Sequence, residues 1–376
     1  MEFLFQVISY DKATFIDNSL PNIPKRSAVY KITDTRGKLI VLEKTSNLYH
    51  RLERFFGPRS EMLRDLDLRE ITSRIEFRPT DSTFETLYLL YSERRSLFPA
   101  TYRKMRTFRL FNLMKINRKQ RFPRIYATRQ LKAGVDYFGP FVTRGQFNKL
   151  KTTLERTFKL RPCLYNIRGN DPHPDCMYFQ MHTCSRPCNN DIDRRGYLTD
   201  VGHAIDFIQG ADSKIESEMT ERMNELAAET NFEGAEILRR RLEKIHKARQ
   251  EVKDTFWSVW HFNAVVLVPA DSVSRFKLAF VREGRIVRFE EYDVDSAFEK
   301  IQTDAERVFT EPVPALSRAW QYDEFCLVSN FLVRPLQTVD VIMLESPAEI
   351  TSRVLERLQQ RKRRRKPSTV EITTPR

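Results

Sequence analysis

Residues 28–42 read Ala28-Val-Tyr-Lys-Ile32-Thr-Asp34-Thr-Arg-Gly37-Lys-Leu-Ile-Val-Leu42: two apolar runs on either side of a polar turn that ends in glycine. β-Branched and aromatic residues flanking a Gly-bearing turn are the pattern of a β-hairpin. Downstream, Leu48, Leu52 and Phe55 recur at helical spacing over 46–56, where Ser46-Asn47 can cap the helix. A second helical pattern, with Leu87, Leu90 and Arg94, runs from Ser82 to Leu97. Paired strands followed by helices predict an α+β module over 27–105. It is preceded by an extension, 1–26, that ends in the proline-bearing Leu20-Pro-Asn-Ile-Pro24.

Beyond this module the charge changes. Between Arg94 and Lys132 there are 13 basic residues and no Asp or Glu, and the whole chain of 376 residues carries a net +14. The rest of the chain is close to balanced, so the excess has an address. Within the window, cations alternate with aromatics around Tyr102, Phe108, Phe111, Phe122 and Tyr126. That arrangement lets apolar residues anchor the segment while Arg103, Lys104, Arg106, Arg109, Lys115, Arg118, Lys119, Arg121 and Arg124 face a phosphate backbone. These nine are the candidate DNA-binding residues. A second basic run, Arg361–Lys366, reads as an electrostatic tether in a tail, 346–376.

Cys163, Cys176, Cys184 and Cys188 follow as C-x12-C-x7-C-x3-C within a basic and cysteine-cluster region, 106–200. The start of the chain has acidic residues at 2 and 11 and no basic n-region, which argues against a secretory signal and predicts a cytoplasmic protein. No run of 18 apolar residues predicts a membrane span. In a reducing compartment four clustered thiols read as a soft-metal site, either an iron-sulfur cluster or a structural zinc. Cys326, amid Phe325-Cys-Leu-Val328, reads as a small buried apolar residue. His173 and His182 are spare ligands.

Residues 201–250 carry a long charged helical pattern broken at Thr230-Asn231-Phe232, which predicts an antiparallel helical hairpin. An ordinary core hairpin would bury Leu226, Ala227, Leu238, Leu242 and Ile245. Alternating stretches at 263–268, 276–281 and 284–289 then predict strands, followed by a helix over 295–308, together a small α+β domain at 255–345. The last of the 11 glycines is Gly284, so no Gly-bearing phosphate cradle or DNA-binding hairpin lies beyond it.

Taken together these segments resemble the N-terminal half of the UvrC family, the nuclease subunit of the bacterial UvrABC excinuclease. Ala28-Val-Tyr30, Val41-Leu-Glu-Lys44 and Asn47-Leu-Tyr-His-Arg51 are similar to that family's GIY, YIG-K and N-L-x-x-R stretches. Phe122–Arg129 and Tyr137-Phe-Gly-Pro-Phe141, the latter read as a turn, resemble its next segments. The x7 and x3 cysteine spacings match its iron-sulfur set. Met223–Arg239 resembles the UVR motif, which pairs with a like hairpin of UvrB and points to Leu226, Phe232, Ala235, Leu238 and Arg239 as partner-binding residues. Tyr322–Val328 is faintly similar to the tail of Cho, a short UvrC homologue.

The resemblance implies a DNA-binding protein of nucleotide excision repair that works with UvrA and UvrB and carries an iron-sulfur cluster, of the 4Fe-4S type, with zinc the alternative. It also implies a remnant nuclease site. Tyr30, Lys44 and Arg51 match the family's catalytic positions, whereas Val41, Glu43 and Phe55 replace its YIG tyrosine, its glycine and a second tyrosine. Counting back from Pro99 puts Leu90 where the family's metal-binding glutamate stands. A carboxylate holds the hard cation that stabilises charge developing on phosphate, so its loss predicts an impaired, scaffold-like subunit. The alternative is an active single-incision nuclease, like Cho, with Mg or Mn held by a recruited Glu93, Glu85 or Glu43. On a helix Glu93 stands about 4.5 Å along the axis from Leu90. The family's RNase H-like module and helix-hairpin-helix pair do not fit within 251–376.

Overall fold

The computed structural model describes residues 4–58, 67–167, 176–210, 214–253, 256–312, 317–336 and 338–365. Among them, three four-stranded antiparallel sheets are arranged along the chain.

The first sheet has the order β1-β4-β2-β3, from β1 (Gln6–Ser9), β2 (Ala28–Asp34), β3 (Leu39–Thr45) and β4 (Thr72–Pro79). The hairpin is β2–β3, with Tyr30 opposite Glu43 and Ile32 opposite Val41. Its turn is closed by the Asp34 carboxylate, which accepts from the backbone N–H of Arg36 and Lys38 at 2.9 and 2.8 Å, and by Gly37 at φ 77°. α1 (Leu48–Phe56) is capped by Asn47, whose side chain accepts from His50 N–H, and α2 (Leu68–Ile71) leads into β4. Strand alternation sends Ala28, Tyr30 and Ile32 against α1, and Val29 against Leu89 and Leu90 of α3 (Thr83–Leu97), which Ser82 caps. Residues 1–26, expected as an extension, instead supply the edge strand β1, paired Gln6 to Phe77. They also bury Phe15, Leu20 and Ile23 beside Phe56. These short apolar residues lack any repeat that the sequence could reveal.

The second sheet runs β6-β5-β7-β8, from β5 (Asn112–Ile116), β6 (Ile125–Thr128), β7 (Asp136–Phe141) and β8 (Trp257–Ser258). The stretch expected as a turn at 137–141 is thus strand β7, since Tyr137, Phe138 and Phe141 are all buried. One face packs on α4 (Arg144–Thr157), started by a Thr143/Gln146 capping box, and on α6 (Arg194–Gln209). The short α5 (Met177–Gln180) lies between the cysteines. The hairpin is α7 (Lys214–Ala228) and α8 (Phe232–Lys253), turned at Thr230 (φ 58°) and capped by Asn231. Ile245 and Ala248 at the base of α8 enter the second core, and the chain then returns to this sheet as β8.

The third sheet, β11-β10-β9-β12, comprises β9 (Ala264–Pro269), β10 (Arg275–Arg282), β11 (Arg285–Asp293) and β12 (Asp340–Met343). Val265 and Leu267 face α9 (Ala297–Thr310) and α11 (Ile350–Arg365), while Val266 and Val268 face α10 (Arg318–Val333). α10 is buried nearly all round and unites the molecule. Its Tyr322, Phe325 and Phe331 share one core with Phe84, Tyr88 and Tyr91 of α3 and with Phe111 and Tyr137 of the second sheet. Each such fully buried aromatic contributes about 1.5–3 kcal/mol, so the three sheets are fused through this core. No described helix is long and apolar enough to cross a membrane.

Candidate functional site

A cleft of about 450 Å³ opens on the first module, lined by Tyr30, Glu43, Lys44, Arg51, Phe55 and Phe98, with Val41 beside them. The hairpin register puts Tyr30 and Glu43 side by side, and the first turns of α1 bring Arg51 over the Phe55 ring at 5.8 Å. Tyr30 is 2% exposed. Burial pushes its phenol up to about 12, Arg51 opposes the shift and Glu43 adds to it, so the hydroxyl is protonated at neutral pH. Lys44 is exposed. The structure thus brings Tyr30, Lys44 and Arg51, the three residues matched by resemblance, to one cleft.

Carboxylates are placed differently. Leu90 is 1% exposed and packs on Val29, Leu42 and Leu89. Glu93 forms an ion pair with Lys31 at 2.5 Å. Glu85 is buried, accepting from Lys277 Nζ at 2.8 Å and from Asp81 N–H at 2.9 Å. Neither lines the cleft. Glu43 does, but its Oε1 accepts from the Arg94 guanidinium at 2.8 Å, and Arg94 also donates to the carbonyls of Leu42 and Met105. One carboxylate, already held by a guanidinium, does not fit a divalent cation that needs several open oxygen ligands. Arg94 was legible as a member of the basic run and of the helical pattern over 82–97, but not as the partner of Glu43. A cation at an apolar position of helix α3 was the available signal for its role.

The basic window is less available than its composition predicted. Its lack of internal acids does not leave it unpaired, because α10 and β7 supply acids from elsewhere. Arg106 pairs with the buried Asp323 at 2.5 Å, Arg95 with Glu324 at 2.6 Å and Arg118 with Asp136 at 2.7 Å. Arg109 donates to the Val142 carbonyl and is pinned by Asn330. Lys115 and Arg124 lie over the Tyr126 ring at 5.0 and 5.6 Å, and Arg121 over Phe122 at 5.3 Å. Arg103, Lys104 and Lys119 are exposed. Of the nine candidates, Arg106, Arg109 and Arg118 therefore serve internal contacts, while Arg103, Lys104 and Lys119, exposed like Arg109, Arg118 and Arg121, keep the charge that a phosphate could meet.

The cysteines Cys163, Cys176, Cys184 and Cys188 are in no disulfide, and the last two are buried. Burial pushes Cys184 up to about 11. The Arg186 N–H donates to its sulfur at 3.4 Å and opposes the shift, while Cys163, Cys176 and Cys188 add to it. Arg161 contacts Cys163 Sγ at 3.6 Å. Among the described residues no three metal-ligating side chains meet at ligating spacing. The donor set is four thiols, of which Cys184 senses the charge of the other three, and its chemistry suits a soft metal. His182 is exposed, and His173 lies outside the described residues. Cys326 is buried, as its neighbours predicted.

The hairpin divides into two halves. Leu242 and Ile245 at its base are buried, whereas at the tip Phe232 is 69% and Ile237 61% exposed. Leu226, Ala235 and Leu238 are half-buried and Ala227 is exposed, so an all-core hairpin is not what forms. Arg239 is paired with Glu236 and Glu243 on its own helix. Phe232 and Ile237 thus leave an apolar, exposed tip beside charged flanks.

Residues 111–207, covering β5 to most of α6 and all four cysteines, match the family model of the UvrC/Cho excinuclease middle domain, and residues 212–248 match the UvrB/uvrC motif. Among curated proteins, the chain is similar to the UvrABC system protein C of Rhizobium etli, with 29% identity over 61% of this chain and 34% of that protein. It is similar to that of Bartonella henselae at 26% over 73% and 41%, and to that of Clostridium kluyveri at 25% over 74% and 45%. The chain spans between about a third and somewhat under half of the length of these relatives. No solved structure matches it. The chain therefore carries a UvrC/Cho-type middle domain at 111–207 followed by a UvrB/UvrC motif at 212–248, and it is UvrC-like across both.

Proposed function

We propose that this chain is a DNA-binding, UvrC-like subunit of nucleotide excision repair that pairs with UvrB and no longer cuts DNA through its first module. The observation that carries this reading is the cleft, read as a degenerate GIY-YIG site. Lys44 and Arg51 remain to meet a phosphate, while Leu90 stands at the metal-ligand position and Glu85, Glu93 and Glu43 are held by Lys277, Lys31 and Arg94. Such a site can bind a phosphodiester through charge-assisted hydrogen bonds, with Tyr30 adding a neutral donor. Among the described residues it offers no open carboxylate to hold a cation that would stabilise developing charge, worth several kcal/mol in nuclease sites.

The exposed Phe232 and Ile237 support pairing of the hairpin with the like hairpin of UvrB, and Arg103, Lys104 and Lys119 support DNA attachment. Cys163, Cys176, Cys184 and Cys188 would hold a 4Fe-4S cluster, or a zinc ion, which would staple the segment between β7 and α6. The test is incision of damaged DNA by the purified chain with UvrA, UvrB and Mg2+, run beside a binding assay. Binding without incision is expected. Incision that Arg51→Ala removes would refute the non-cutting reading and select the single-incision nuclease, with Glu93→Ala and Glu85→Ala then locating its ligand.

A further inference from the structure

A second cationic surface lies away from both the cleft and the basic window. Between α4 and the base of α8 the structure has a groove of about 800 Å³, closed on its third side by Met181, His182 and Thr183. Its walls are tied by Arg241, which donates to the carbonyls of Arg156 and Thr157 at 2.5 and 3.2 Å. No described carboxylate lines it. Arg240 is paired with Glu236 at 2.7 Å. Arg156, Lys244 and Lys247 are exposed and have no ion pair or side-chain hydrogen bond among the described residues.

We propose that this groove binds a segment of single-stranded nucleic acid. Arg240, Lys244 and Lys247 stand at i, i+4 and i+7, on one face of α8 over about 10.5 Å of axis. These cations, with Arg156 facing them from α4, can meet successive phosphates of one strand. Asn148, Thr152 and Thr153 supply small hydrogen-bonding groups of the kind that contact phosphate and sugar. His182 and Met181 offer flat or soft apolar surfaces for unstacked bases. A partner helix would need a row of apolar anchors, and this lining provides only Met181, Ile237 and the buried Ile245. The fusion of the middle domain to the hairpin creates the site, because neither α4 nor α8 alone carries it.

The inference rests on the DNA-binding reading, and its test separates the two. Binding of a fluorescent single-stranded oligonucleotide to the full chain is followed by anisotropy across a salt series. The variants are Arg156→Gln/Lys244→Gln/Lys247→Gln and, in the window, Arg103→Gln/Lys104→Gln/Lys119→Gln. The groove variant should lose at least tenfold in affinity and lower the slope of log K against log salt by about 2, at roughly 0.7 per phosphate contact. Duplex of the same sequence should lose less. Full affinity and slope in the groove variant, with loss only in the window variant, would overturn the groove while leaving DNA attachment intact. No binding by the unaltered chain would overturn both. A photoreactive oligonucleotide provides the control for folding: cross-links to the peptide containing His182 support the site, and cross-links confined to 94–132 overturn it.

Discussion

Arg95→Ala tests the claim that α10 locks the first module to the third sheet through buried charge. Arg95 donates to Glu324 Oε1 at 2.6 Å and lies over the rings of Trp320 at 4.5 Å and Tyr91 at 5.2 Å. Glu324 is 2% exposed, and its remaining partner is the Ile286 N–H at 2.9 Å. Burial raises the Glu324 pKa, and Arg95 is the largest force opposing that rise. Removing one member of a buried pair costs about 3–5 kcal/mol. The carboxylate can escape by taking up a proton. From an unfolded pKa near 4.3, that costs about 3.7 kcal/mol at pH 7 but only about 1 kcal/mol at pH 5, at 1.36 kcal/mol per unit.

The sign follows from a folded pKa above the unfolded one. The stability associated with this group is fully present below the unfolded pKa and is lost as pH rises through the folded value. The Arg95→Ala deficit should therefore be about 3–4 kcal/mol near pH 7 and shrink by about 2 kcal/mol or more at pH 5, on top of a pH-independent loss of ring contacts of about 1 kcal/mol. Urea titration followed by tryptophan fluorescence is the assay, since Trp257, Trp260 and Trp320 all pack on the shared core. Glu324→Gln in the Arg95→Ala background should recover most of the pH-dependent part. A deficit that stays constant or grows on acidification would refute the buried-charge account.

Phe232→Ala should leave the unfolding midpoint within about 0.5 kcal/mol of the parent, because the ring is exposed, yet weaken co-purification with UvrB by about thirtyfold if the tip is an interface hot spot. A chain truncated at 212 that still binds UvrB would contradict this. Protein purified anaerobically should be brown and contain iron and sulfide, and Cys184→Ser should bleach it; colourless protein holding zinc would select the alternative metal. Leu90→Glu, which places a carboxylate among Val29, Leu42 and Leu89, should destabilise the fold by about 2–5 kcal/mol at neutral pH and less in acid. Wild-type stability in that variant would mean that the site is open to water.

The local elements were legible because they carry short-range signals. The Gly37 turn between two apolar runs, the Asn47 cap, the start of the helical pattern at Ser82 and the break at Thr230–Phe232 each lie where the structure has a hairpin, two helix starts and an inter-helix turn. The clustering of Tyr30, Lys44 and Arg51 in one cleft was legible through resemblance. What the sequence could not reveal was long-range. β1, β7 and the insertion of β8 after the hairpin depend on partners far away in the chain.

The charge balance illustrates the division best. Sequence by itself located the cationic excess between Arg94 and Lys132, named the four thiols and set the order of modules. Only the tertiary structure decided which cations remain for a partner. Asp323 and Glu324 are more than 200 positions away from Arg106 and Arg95, yet α10 brings them into contact. Likewise, Arg156 and Lys244 form one groove only because α8 packs on α4. Periodicity and capping act over a few residues and can be read along the chain, whereas burial and pairing of charge depend on which surfaces exclude water together.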